Sequence, residues 1–193
     1  MKKILLLIVL LSSGLFFAQI KDSLLIDKGI YKVTYSQIYE QPLRVTYTVL
    51  CSKGKEDRTG ISFVAENGIK TSSDKDYEGN VYDKGHNAPS ADFNCDKPSM
   101  IKTFSYINCS LQNQYLNRGA WRFLEAYERH LAEKYAVYVE IKSYFSEKSI
   151  RLPTGATVPD AFKKTIIYNG IKEVFFFKNS KPASNDFRLY QLK

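Results

Sequence analysis

Histidine and cysteine are scarce in this chain of 193 residues, which holds two of the first and three of the second. His86 and His130 stand far apart and no Cys-x-x-Cys spacing occurs, which argues against a Cys/His zinc cluster. Internal repeats and low-complexity linkers are absent, which argues against a solenoid or a string of modules. After residue 18 no apolar run approaches the roughly 20 residues that a membrane-spanning helix needs. Acidic residues are the minority, 20 against 28 lysines and arginines, and the net charge of +8 disfavours an acidic cation buffer while suiting a polyanionic partner. What is present is ordinary for a globular protein: 44% hydrophobic, 14% aromatic and 25% charged residues, in a chain long enough to bury one core.

The first 18 residues read differently from the rest. Lys2 and Lys3 precede an apolar run from Ile4 to Leu11, then a Ser-Ser-Gly break and Leu15-Phe16-Phe17-Ala18 before polar Gln19. A short basic start, an apolar stretch of this length and a small residue at the junction describe a secretory signal peptide cleaved after Ala18. The expected product is one domain of residues 19–193, secreted or periplasmic, with no stable membrane association. Loss of Lys2 and Lys3 takes its net charge from +8 to +6. Export permits disulfides, and Cys51, Cys95 and Cys109 allow one bridge with one thiol left over, in any of three pairings.

Tyr31, Val33 and Tyr35, then Val45, Tyr47 and Val49, alternate as strands do, with Gln41-Pro42 between the two runs. Residues 51–57 and 71–80 read as polar loops, Ile61–Val64 as a short strand and Thr103–Asn108 as a clearer one. From Gln112 to about Lys134 the spacing of Leu116, Ala120, Phe123, Tyr127 and Leu131 predicts a helix with one apolar stripe. Val137, Val139 and Ile141 predict another strand, and Asn169-Gly170 marks a tight hairpin between Thr165–Tyr168 and Ile171–Phe177. The tail after Lys178 reads as polar and loose. The fold class is α+β, mainly antiparallel sheet with one long helix.

Taken alone, His86 beside Gly85 is as ordinary as any loop histidine, although imidazole is the side chain best suited to take a proton from water near neutrality. The helix adds Asn117, Trp121, Glu125 and Arg129 at successive four-residue steps. By itself that face could be solvated surface with a Glu-to-Arg pair; it also offers an amide oxygen for a hard cation, a carboxylate for the cation's waters and a fork for phosphate oxygens.

Taken together the segments resemble a family. Asp83-Lys84-Gly85-His86, Ala88-Pro89 and Ala91-Asp92-Phe93 are similar to the DRGH-x-A-P-x-A-D-F block of the DNA/RNA non-specific endonucleases. The likeness continues through Phe104–Asn108, Leu111–Gln114, Leu116–Gly119, Trp121 and Leu124-Glu125, and Val158-Pro159 to Lys164 resembles a later VP-x-x-F-x-K segment. The resemblance implies a ββα-metal nuclease core that cleaves DNA and RNA to 5′-phosphate products with Mg2+, or Mn2+ in its place. It makes His86 the general base, Asn117 the direct metal ligand, Glu125 the carboxylate orienting metal-bound waters and Asn108 an active-site amide. Arg129, Lys84 and Arg58 become phosphate contacts, with Asp83 bracing the loop. Lys84 replaces the family's arginine, keeping the charge but losing the planar fork. A neutral His86 base of ordinary pKa implies activity falling as the pH drops through about 6 to 7. The competing possibility is a non-catalytic binder of nucleic acid or another acidic polymer. Asn108-Cys109-Ser110 also matches a glycosylation acceptor, here inside the active-site block.

Overall fold

A computed structural model describes residues 23–193, so the expected leader and its cleavage point lie outside the described residues. Six strands form an antiparallel sheet: β1 (Ser23–Asp27), β2 (Tyr31–Ser36), β3 (Gln41–Thr48), and, further along the chain, Val137–Tyr144, Ala161–Tyr168 and Ile171–Lys178. Between β3 and the latter three come β4 (Tyr82–His86), α1 (Lys97–Lys102), β5 (Cys109–Asn113) and the helical run α2 (Gln114–Leu116), a π-turn (Asn117–Trp121) and α3 (Arg122–Ala132). The last strands are therefore β6, β7 and β8, and the sheet order is β1-β2-β3-β6-β7-β8. β4 and β5 make a separate antiparallel pair.

Period-two alternation puts one face of the sheet under the helical run. Register aligns Val33, Val45, Ile141, Lys164 and Phe175 in one row across five strands. Leu116, Ala120, Trp121 and Leu124 pack on that face, with Trp121 edge-on to Phe162 and Phe177 at 5.6 and 5.7 Å between ring centres. The β7–β8 hairpin turns at Asn169 and Gly170, whose φ of 45° and 75° meet the expectation of positive φ at both positions.

Several boundaries differ from expectation, each for a local reason. The turn between β2 and β3 is residues 37–40, and Gln41-Pro42 already belong to β3. Ile61–Val64 supplies only one bridge, Val64 to Ser105. The expected strand Thr103–Asn108 is instead a 3-10 turn at Tyr106–Asn108 leading into β5, because the Asn108 side chain ties itself to the backbone of Ala88 and Thr103. Gln112 and Asn113 are strand, and the Asn113 carboxamide caps the helical run by accepting from the Tyr115 amide at 3.1 Å. The π-turn adds a residue to the helical repeat, so Phe123 is exposed and Leu124 takes the core position. Residues 71–80 do have a buried side: Asp76 accepts from the Ser73 amide and the Thr154 hydroxyl, pinning this loop to the one before β7. The tail is ordered onto the core through Phe187, which meets Tyr127 and Phe175. Cys51 bridges Cys95, while Cys109 is buried against the Tyr77 hydroxyl.

Candidate active site

The site begins with a close approach of two strands. A Cβ on Gly85 would lie 2.6 Å from the Gln112 Cβ, so only glycine lets β4 sit this near β5 and hold His86 opposite Cys109. Alternation sends Lys84 and His86 to one face of β4 and Asp83 to the other. The chain then runs through β5 into the π-turn, which carries Asn117 back beside Asp83. Insertions of this kind in helices recur at functional sites because they re-aim side chains.

These elements enclose a cleft of about 880 Å³. Its wall includes His86, Lys84, Asn117, Glu125, Arg129 and Arg58, which brings six of the seven sequence-predicted site residues together. Arg118, Arg122 and the rings of Phe63 and Phe104 also line it. Five cations face two carboxylates, Asp83 and Glu125, so the cleft attracts anions. Arg118 stood within the Leu116–Gly119 segment of the resemblance without an assigned role, and Arg122 carried no distinguishing signal in the sequence.

His86 packs between Phe63 and Phe104, each 4.8 Å away between ring centres. Its Nε2 is buried and has no protein partner. Burial in this aromatic sandwich, with the Arg58 charge adding to it, pushes the imidazole down to about 3. Desolvation thus holds His86 neutral in the free protein, its pKa below the ordinary imidazole range assumed from the sequence.

Asn117 donates from Nδ2 to Asp83 Oδ2 at 2.9 Å. A carboxylate accepts only, so this bond fixes the amide orientation and leaves Asn117 Oδ1 for a cation. Arg118 grips the same carboxylate through Nε and an NH2 nitrogen at 2.8 and 2.6 Å, so Asp83, expected to brace its own loop, ties β4 to the π-turn. Glu125 lies across the cleft, half-buried. Burial pushes its carboxyl up to about 7, with Glu128 adding to the rise and Lys164 and Arg129 opposing it. Among the described residues no group of three or more histidines, cysteines or acids is arranged to hold a metal. The donor chemistry nevertheless fits a hard cation that keeps most of its waters: one oriented amide oxygen and one nearby carboxylate.

Lys84 pairs with Asp74 and lies 5.7 to 6.0 Å from the ring centres of Phe63, Tyr77 and Tyr106. This cage holds a flexible ammonium where the family's motif has a planar guanidinium. Arg129 donates to buried Asp92 at 2.8 Å while still reaching the cleft. Beneath it, Glu128 accepts from Lys164 at 2.6 Å and from the Tyr47 hydroxyl at 2.8 Å, all inside the core. Asn108 is the exception among the expected residues. Its amide is spent on Ala88 and Thr103, it does not line the cleft, and it shapes the backbone that follows His86. The same burial removes it as a glycosylation acceptor.

Residues 17–187 match the family model described as DNA/RNA non-specific endonuclease. Human mitochondrial endonuclease G is 33% identical over 91 residues, which cover 45% of this chain and 31% of that protein. Nuclease C1 of Cunninghamella echinulata var. echinulata is 41% identical over 66 residues, covering 33% of this chain and 26% of the relative. Mitochondrial nuclease 1 of Schizosaccharomyces pombe is 28% identical over 135 residues, covering 59% and 42%. The chain thus spans less than half the length of these curated relatives. Among solved structures, a chain of the EndoG/EndoGI complex superposes with a TM-score of 0.77 at 21% identity, covering 88% of this chain and 80% of that one. At that identity the likeness is one of fold, and it agrees with the antiparallel sheet and the β4–β5–helix unit. The bounds of the family match take in every residue that lines the cleft, and the chain belongs to the DNA/RNA non-specific endonuclease family.

Proposed function

We propose that this protein is an exported, Mg2+-dependent endonuclease that hydrolyses phosphodiester bonds of DNA and RNA and leaves 5′-phosphates. The observation that carries the reading is the meeting, in one cationic cleft, of a neutral histidine with an unpartnered nitrogen and an amide oxygen fixed by a carboxylate. A pure binder of acidic polymers has no use for the Asp83–Asn117 bond or for a half-buried Glu125 amid the cations.

Arg58, Lys84 and Arg129 receive the phosphate oxygens, and Arg118 and Arg122 extend the field along the strand. His86 takes the proton of the attacking water. A phosphodiester seated beside Arg58 offsets that residue's charge, the smaller of the two causes that hold the imidazole down. Asn117 Oδ1 would hold the metal, with Glu125 orienting its waters. A bound divalent ion supplies charge neutralisation and stabilises the departing 3′ oxygen. An oxygen-lined site of this kind also accepts Mn2+. Contacts to backbone rather than base edges leave sequence unread. The signal-like start and the Cys51–Cys95 bridge support a secreted or periplasmic setting, and no helix among the described residues is long and apolar enough to cross a membrane.

Side-by-side digestion of linear DNA and single-stranded RNA of matched length tests the breadth of the substrate class. Rates within about tenfold of one another support sugar indifference; cleavage of only one narrows the enzyme to that nucleic acid.

A further inference from the structure

A second concavity of about 350 Å³ adjoins the cleft and shares Arg118 with it. Its wall contains two cations, Lys181 and Arg118, of which Arg118 is already paired with Asp83, so Lys181 is the main charge it offers an anionic ligand. Tyr115 contributes a ring that is 52% exposed, with Lys181 Nζ 5.1 Å from the ring centre. The far wall is the segment 181–185, seated directly on the π-turn: a Cβ on Gly119 would come 2.3 Å from Asn185 Oδ1. The walls are therefore set by close packing of the same turn that presents Asn117. Asp83 holds Asn117 and Arg118 together, so a strand held in the cleft meets the mouth of this pocket at Arg118.

An aromatic face flanked by cations, with amides nearby and no acid, is the chemistry of a site for one nucleotide, in which the base stacks and the phosphate is paired. We propose that Tyr115, Lys181 and Arg118 form a subsite for an unpaired nucleotide flanking the cleaved phosphate. This rests on the nucleic-acid reading of the cleft but not on its hydrolytic step. Because stacking on Tyr115 requires a base freed from its partner, the subsite gives the protein a preference for single-stranded or frayed substrate next to the cleaved bond.

The test is binding of a fluorescent ten-nucleotide DNA strand to the whole protein in EDTA, at several salt concentrations, with Tyr115→Ala, Tyr115→Phe and Lys181→Ala alongside. The expected result is a Kd weakened roughly 5- to 100-fold in Tyr115→Ala and restored in Tyr115→Phe. In Lys181→Ala the slope of log K against log salt should fall by about 0.7, one single-strand phosphate contact. Cleavage assays with strands of two to ten nucleotides should show a KM that improves with length, an improvement that Tyr115→Ala flattens. A Tyr115→Ala protein that binds as the parent does, a Tyr115→Phe protein as weak as the alanine variant, or a parent that binds no strand overturns the subsite. Tyrosine-dependent binding in a protein that cleaves nothing would instead leave the subsite standing and overturn the nuclease reading.

Discussion

Helix α3 carries two carboxylates one turn apart in different surroundings. Glu128 points into the sheet, where Lys164 and the Tyr47 hydroxyl satisfy it completely in the core. Glu125 points into the cleft, half-buried, with its carboxyl pushed up to about 7. The same residue type on the same helix is a structural pin on one side and a cleft-lining group with a raised pKa on the other. The partner each was given makes the difference. On the sheet side Glu128, Lys164 and the Tyr47 hydroxyl are matched to one another, and on the cleft side His86 Nε2 has no partner and five cations face two acids. Unsatisfied polar groups cost stability, and sites that must receive a ligand keep them.

Substitutions on the two sides should therefore fail in different ways. The largest effect is expected from His86→Ala, with a loss of about two to four orders of magnitude in plasmid cleavage while the melting temperature stays within a few degrees. A variant that keeps near-parental rates would remove His86 from the chemistry. On the sheet side, Lys164→Met strands Glu128 in the core and should cost about 3–5 kcal/mol in denaturant unfolding. The double variant Lys164→Met/Glu128→Leu should regain most of that, because the pair is replaced by packing. A single variant as stable as the parent would mean that the pair is not buried as described. A smaller change is expected in Glu125→Gln, which should raise the metal concentration needed for half-maximal activity by roughly 10–100-fold with little change in unfolding. Equal metal dependence would place Glu125 outside the metal's surroundings.

The pH dependence separates the two sides as well. His86 has a folded pKa of about 3, against about 6.5 unfolded, so the unfolded chain takes the proton first as the pH falls. Its contribution to stability is unaffected above about pH 6.5 and is lost progressively from there toward pH 3. An unfolding series from pH 7 to 4 should show that slope in the parent and a shallower one in His86→Ala. The His86 ring protons should show no titration step between pH 5 and 8 in the free protein; a midpoint near 6.5 would contradict the buried, aromatic-packed imidazole.

The sequence revealed chemistry more readily than geometry. The alternation in β2, β3 and β6 and the Asn169-Gly170 turn were legible because each needs only near neighbours. The Asp83–His86 block and the four-residue steps of Asn117, Glu125 and Arg129 were legible as a linked pattern. The fate of Asn108 was not, since its three bonds go to residues 5 and 20 positions away, which only folding brings close. The exposure of Phe123 and the cleft position of Arg118 and Arg122 follow from one extra residue in the π-turn, which periodic spacing conceals. Lys164 was visible as part of a motif but not as the lysine in an otherwise apolar row across the sheet. The ordered tail was hidden because its anchors, the Phe187 and Tyr190 rings and a backbone bond from Leu192 to Val174, are scattered through an otherwise polar segment.

The central claim is that the cleft breaks phosphodiester bonds with a divalent ion, rather than merely attracting them with charge. Nicking of supercoiled plasmid by residues 19–193, followed as magnesium is titrated from zero in EDTA to millimolar, tests it most directly. No nicking is expected in EDTA, with a saturable rise as magnesium is added and a fall in rate as salt screens the cleft. Plasmid that is bound in a salt-sensitive way but stays intact at every magnesium and manganese concentration would contradict it.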